Sequence, residues 1–169
     1  MSHPLPKLPK PRFALIRVRP PFGVPDLIAV DLSQTGVPCG LIGYEYRPLS
    51  TPVFLAESGG RGLVVIATSG LFQRIAVDVA TGRVLQIHAD EAAPANHVNG
   101  DLRSFNRCVA AVIARFPFRP DADEEEYEQE AEELRDLLVD IDETALAHNG
   151  FWETFCDDVA MGNYADWDV

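Results

Sequence analysis

Residues 61–88 read RGLVVIATSGLFQRIAVDVATGRVLQIH, and this stretch decides the fold class. Positions 63–68 form an almost wholly apolar run, which is typical of a strand buried on both faces. Positions 73–79 and 84–88 alternate apolar and polar side chains, which indicates two strands joined by the turn at 80–83. Parallel strands need crossover connections of about a dozen residues or more, so these short connections predict an antiparallel meander.

Two more strands are predicted before this stretch, at 42–47 and 53–57, with the turn-forming segment PLSTP between them. Residues 26–34 leave two interpretations open, because Pro25 suits the start of a helix whereas Ile28 and Val30 suit a strand equally well. Residues 1–12 are rich in proline and show no periodicity, which predicts a flexible arm. At a length of 169 residues, one domain over 13–169 is the expected organisation.

The periodicity changes after residues 89–97, which are predicted to form a loop. Apolar residues then recur at helical spacing from Leu102 to Phe116, and Pro117 ends the run. Further helices are predicted at about 123–140 and 151–161. Strands followed by helices indicate an α+β fold, with a central, mainly antiparallel sheet flanked by helices.

The charge is strongly negative and unevenly distributed. The chain has 14 Lys and Arg against 26 Asp and Glu, a formal charge of −12, and residues 119–169 hold 2 of the basic and 18 of the acidic side chains. This balance argues against nucleic acid and anionic membranes as direct partners. No apolar run approaches the roughly 20 residues of a spanning helix, and the start does not resemble a signal peptide. Three cysteines without a C-x-x-C pair favour a reducing compartment, so a cytoplasmic location is predicted.

Motifs for catalysis, cofactors and metals are missing from the sequence. Ser58 does not lie in G-x-S-x-G, the GGRG segment at 59–62 precedes a strand, and the four histidines show no metal-ligand spacing. We therefore predict no catalytic residue, no cofactor and no metal. One enzymatic alternative stays open, namely a small site near His88, His97 and Asp90, where a strand gives way to a loop.

Several short strings, in a fixed order over roughly residues 25–160, resemble the SUKH superfamily of bacterial immunity proteins, in particular its fourth group. The D-x-x-T-G-x-V hairpin that begins at Asp78 is similar to that of the family, and so is the Val98-Asn99 pair that opens a helix. A later D-x-x-A-L string at 142–146, the tryptophan Trp152 ahead of an acidic helix, and the TGVP string at 35–38 are also similar.

The resemblance implies an α+β fold with a mainly antiparallel sheet flanked by helices. It also implies a non-enzymatic antitoxin that binds and blocks a cognate toxin domain, often a nuclease or a nucleic-acid deaminase. No binding residue can be transferred by motif, because partner contacts vary within such families. The sequence indicates no oligomeric state.

The charge distribution supplies a candidate contact surface. A toxin that acts on nucleic acid presents a basic cleft, which attracts a strongly acidic segment. The predicted partner-binding residues are Asp123, Glu124, Glu125, Glu128, Glu132, Glu133, Asp136, Glu153, Asp157 and Asp158. Two alternatives remain at this stage: the acidic helix is merely a well-solvated face, or the protein is a regulatory scaffold of the same fold whose partner is not a toxin.

Overall fold

The structure is a computed structural model, and it describes residues 11–42, 45–58, 61–90, 94–119, 121–147 and 150–165. The strands are β1 Leu15–Ile16, β2 Val37–Pro38, β3 Arg47–Ser58, β4 Arg61–Ser69, β5 Gln73–Asp78, β6 Val84–His88 and β7 Asn96–Asn99. The helices are α1 Asp26–Val30, α2 Leu102–Arg115, α3 Glu124–Ile141 and α4 Phe151–Ala160, and a π-helix over Asp31–Thr35 continues α1.

The main sheet has the strand order β3-β4-β5-β6-β7, and every neighbouring pair is antiparallel. The predicted meander is therefore confirmed. The β5–β6 turn depends on Gly82, whose φ of 75° lies in the left-handed region that glycine adopts without strain. The α+β class is likewise confirmed, since this sheet is followed by helices α2, α3 and α4.

The start of the sheet differs from the prediction of two strands at 42–47 and 53–57. The strand predicted at 42–47 is wrong for Ile42, Glu45 and Tyr46, which belong to no strand, and positions 43 and 44 lie outside the described residues. Strand β3 instead begins at Arg47 and runs through the PLSTP segment to Ser58, and its pairing with β4 is irregular between Pro48 and Val53. Prolines 48 and 52 have no N–H to donate, so the segment bulges while its flanks stay paired. The predicted loop at 89–97 is also shorter, because β7 begins at Asn96 and pairs with β6.

The ambiguous segment 26–34 is helical. It ends at Gly36, where φ is 77° and an added Cβ would lie 2.7 Å from the backbone oxygen of Ile16. This close approach allows β2 to pair with β1 in a separate two-stranded sheet. The predicted arm at 1–12 lies outside the described residues except for positions 11 and 12, and the single domain over 13–169 stays a prediction.

The core joins one face of the sheet to the helices. Val64, Ile66 and Val77 of the sheet belong to the same buried cluster as Phe105 and Trp152 of the helices. A smaller cluster lies on the other face and contains Leu63, Val65, Ala76, Leu85 and Ile87. The apolar run at 63–67 is thus buried on both faces, as the sequence predicted, and each such side chain contributes about 1.5–3 kcal/mol.

Helices α3 and α4 form an antiparallel pair. Near the C-terminal end of α3, Arg135 contacts Glu153 and Asp157 of α4, whereas near its N-terminal end Tyr127 lies against Gly162, just after α4. The acidic residues of both helices are consequently brought onto one part of the molecule.

Candidate functional site

Helix α3 begins where its own carboxylates satisfy free backbone amides. Asp123 is the N-cap: its Oδ1 accepts a hydrogen bond from Glu126 N at 2.9 Å, and Glu126 Oε2 accepts one from Asp123 N at 3.0 Å. Glu124 and Glu125 follow in the first turn, where the helix dipole favours negative charge. Part of the acidity at this end of α3 therefore has a structural reason.

The ten predicted partner-binding residues fall into two sets. Six of them accept hydrogen bonds or ion pairs from this chain, namely Asp123, Glu132, Glu133, Glu153, Asp157 and Asp158. The other four carry no ion pair or hydrogen bond within the described residues, and all four are exposed: Glu124, Glu125, Glu128 and Asp136. We call these four the free carboxylates.

Three of the first set surround one guanidinium. Arg135 donates to Glu132 at 2.7 Å, to Glu153 at 2.9 Å and to Asp157 at 2.8 Å. Partial burial lowers the pKa of Arg135, but the carboxylates, Glu153 foremost, outweigh burial and raise it. This cluster ties α3 to α4 and keeps a net negative charge, because three carboxylates face a single cation.

Glu130 is an acidic residue that the sequence prediction missed. Its side chain is 7% exposed and accepts hydrogen bonds from Arg115 at 2.7 Å and from Arg119 at 2.9 Å. Glu133 pairs with the same two arginines, with Arg115 at 2.9 Å and with Arg119 at 3.4 Å. The sequence did contain a signal for the burial of Glu130. This residue lies three positions after Tyr127 and four before Leu134, on the face of α3 that carries the apolar side chains.

Three of the free carboxylates, Glu124, Glu125 and Glu128, border an indentation beside the end of α4. Two adjoining cavities of about 460 and 440 Å³ lie there, with Glu125 and Glu128 around one and Glu124 and Glu128 around the other. Ala160 lines both cavities, and Met161 lines the second. An apolar floor beside carboxylates suits the long aliphatic stem and the cationic head of a lysine or arginine. We call this region the acidic groove.

Each of the two histidines of the enzymatic alternative contacts its own neighbours. His97 is 8% exposed, its Nδ1 accepts from Arg83 Nε at 3.0 Å, and its Nε2 lies 2.7 Å from Thr144 Oγ1. His88 stacks on Phe72 and accepts from the backbone of Asp90 at 2.9 Å. Within the described ranges, no group of three or more His, Cys, Asp or Glu could hold a metal.

Two of the cysteines, Cys108 and Cys156, are buried, and burial raises the pKa of each thiol to about 12. Both stay protonated at neutral pH, so neither has the reactivity of a catalytic thiolate. Each behaves as a small buried hydrophobe in the core.

Three of the family-like strings, those that contain Asn99, Asp142 and Trp152, meet at one largely buried joint. Asn99 donates to Asp142 Oδ2 at 2.8 Å, and its own Oδ1 accepts from Trp152 Nε1 at 2.8 Å. Asp142 also accepts from Gly100 N at 2.8 Å, from Ser104 Oγ at 2.9 Å and from Thr144 Oγ1 at 2.6 Å. The joint therefore connects β7, the start of α2, the end of α3 and α4, and its role is to hold these elements together.

A family model described as SUKH-4 immunity protein matches residues 55–158, from β3 to α4. The chain belongs to the SUKH-4 immunity protein family. Every residue of the buried joint lies within the matched range of this SUKH-4 protein. No curated protein and no solved structure matches the chain.

Membership supports a role as an immunity protein, which implies a toxin as partner, and it favours a protein without catalytic activity. Among the helices of the described residues, none combines the length and apolarity that crossing a bilayer requires.

Proposed function

We propose that this SUKH-4 protein is a cytoplasmic bacterial antitoxin that binds a cognate toxin domain through the acidic surface of α3 and α4. The proposed toxin is a nuclease or a nucleic-acid deaminase, whose substrate-binding cleft is basic. The acidic surface of α3 and α4 lies over that cleft and competes with the phosphates of the substrate. The toxin can then no longer carry out its reaction. The protein itself catalyses nothing in this mechanism.

The observation that carries the proposal is the row of exposed carboxylates along α3. Glu124, Glu128 and Asp136 belong to one line of residues spaced four apart, in which like charges destabilise a helix by about 0.2–0.5 kcal/mol per pair. Stability alone does not favour such a row. A positively charged partner offsets the repulsion among these carboxylates. Its attraction to them also increases the affinity of the complex.

The two sets of carboxylates have different roles in this proposal. The free carboxylates meet cations of the toxin directly. Glu132, Glu153 and Asp157 instead fix the position of α4 against α3 through Arg135 and add a negative potential at longer range. Glu133 and Asp158 act in the same indirect way, and Asp123 caps the helix.

The test uses the full chain and the toxin domain encoded beside its gene. We expect E125Q/E128Q/D136N to lower the association rate constant about tenfold at low salt, because steering by charge acts on association. The matched control D26N/E57Q/E143Q changes the net charge equally at other exposed sites and should have a much smaller effect. Stopped-flow fluorescence measures both rates.

Two results would count against the proposal. A dissociation constant that does not change between low and high salt would remove the electrostatic mechanism. Failure of the neighbouring toxin to bind at all, with binding to another cellular protein, would favour the regulatory scaffold instead.

A further inference from the structure

A second concave site lies between β1 and the first half of α2, at the other end of that helix from the contacts with Glu130. This cavity of about 540 Å³ is lined by Phe13, Leu15, Gln34 and Thr35, and by Arg103, Asn106, Arg107 and Ala110 of α2. None of the described residues that line it carries a carboxylate. We call it the basic groove.

The two arginines of the basic groove are not neutralised by the described part of the chain. Arg103 and Arg107 are exposed, and neither forms an ion pair with a described acidic residue, unlike Arg115 and Arg135. They lie four residues apart on one face of α2, where like charges repel. Arg103 is also in the first turn, where the helix dipole disfavours a cation. An anionic ligand at this place is therefore favoured by both arginines.

Asn106 adds an unsatisfied acceptor between the two arginines. It is 5% exposed, and its Nδ2 donates to the backbone oxygen of Gly36 at 3.0 Å. Its Oδ1 is buried and accepts no hydrogen bond within the described residues. Leaving such a group unpaired costs about 1–3 kcal/mol, so a ligand that supplies an N–H is favoured.

The walls of the groove indicate what surrounds the charge. Phe13 and Leu15 are 38% and 46% exposed and form an apolar side opposite the arginines. Inorganic phosphate has an O–H for Asn106 but no apolar group for Phe13 and Leu15. A peptide offers a backbone N–H, carboxylates and apolar side chains within a few residues of each other.

We propose that the basic groove binds an acidic peptide segment of a partner protein. Carboxylates of the segment pair with Arg103 and Arg107, Asn106 turns its buried Oδ1 toward the groove to accept a backbone N–H, and an apolar side chain packs on Phe13 and Leu15. This proposal does not rest on the toxin-binding proposal, since it concerns different residues and the opposite charge.

The test is a titration of the full chain with a fluorescein-labelled hexapeptide, Asp-Leu-Glu-Phe-Asp-Leu, followed by fluorescence anisotropy. We expect saturable binding, and an affinity about tenfold lower for R103Q/R107Q because two charge-assisted contacts are lost. The matched control R19Q/R74Q removes the same charge from exposed arginines elsewhere and should bind like the wild type. A peptide with Lys in place of Asp and Glu should not bind.

Position is tested separately by NMR, with the side-chain amide signals of Asn106 and the Nε signals of the two arginines as readouts. Absence of peptide binding, or an equal loss in both double variants, would overturn the proposal. Binding of a single-stranded oligonucleotide instead of the peptide would overturn it in favour of nucleic acid. Self-association that R103Q/R107Q abolishes would overturn it in favour of a second copy of this chain. We expect R103Q/R107Q to bind the toxin as the wild type does. The outcome of this test is then independent of the outcome for the acidic groove.

Discussion

Asp142 shows how one residue at a family-like position stabilises the whole arrangement. It is partly exposed, yet it accepts hydrogen bonds from Asn99, Gly100, Ser104 and Thr144. Partial burial favours its protonated form, but the hydrogen bonds from Thr144, Gly100 and Asn99 outweigh burial and hold the pKa of Asp142 well below its usual range. The carboxylate form is therefore the form that the folded protein needs.

We expect D142N to lower the free energy of unfolding by about 2 kcal/mol at neutral pH, because an amide cannot accept all of these bonds. The native pKa is depressed, so this stabilisation is complete above the unfolded pKa of about 4 and is lost as the pH falls toward the native value. The difference between wild type and D142N should therefore shrink below about pH 4. Urea unfolding at several pH values measures it. D140N, on the exposed end of α3, is the control, and a difference independent of pH would contradict this account.

Helix α3 combines two kinds of acidic residue. Glu130 faces inward and pairs with Arg115 and Arg119, whereas the free carboxylates are exposed and receive no hydrogen bond or ion pair within the described residues. The periodicity of the sequence predicted the helix and its apolar stripe. It did not separate these two kinds, because the partners of Glu130 lie 15 and 11 residues away along the chain.

We expect E130Q and E128Q to have opposite effects on stability. E130Q should cost about 2 kcal/mol, less than for a fully buried pair because the side chains of Arg115 and Arg119 are 32% and 33% exposed. E128Q should be neutral or stabilising by about 0.3 kcal/mol, since it relieves repulsion along the row. Thermal and urea unfolding of the two variants measure these effects. Equal destabilisation by both would show that the outward row also contributes to the fold.

Across the whole molecule, exposed negative and positive side chains are concentrated in two different places. The acidic groove lies where α3 and α4 run side by side, and the basic groove lies between β1 and α2. The net charge of −12 therefore hides a local region of positive potential. Long-range repulsion among the carboxylates opposes the compact state, and salt weakens it.

We expect the melting temperature to rise when sodium chloride is increased from about 20 mM to about 200 mM, because the Debye length falls below the spacing of distant carboxylates. The variant E125Q/E128Q/D136N should show a smaller rise, since it carries less repulsion. Differential scanning calorimetry measures both. A melting temperature that falls with salt in the wild type would mean that surface ion pairs, such as those of Arg135, outweigh the repulsion.

The sequence by itself determined the antiparallel meander, helices α2 to α4, the acidic character of the last third and the family-like strings. These features depend on periodicity, turn residues and composition, all of which are local along the chain. It missed β7, began the sheet too early at residue 42 and interrupted β3 at the PLSTP segment, because pairing through a proline-containing segment depends on the neighbouring strand. Only the tertiary structure decided which carboxylates are free. Arg135 forms ion pairs with Glu153 and Asp157, which lie 18 and 22 residues further along the chain. An ion pair forms only where folding places its two charges within a few ångströms of each other.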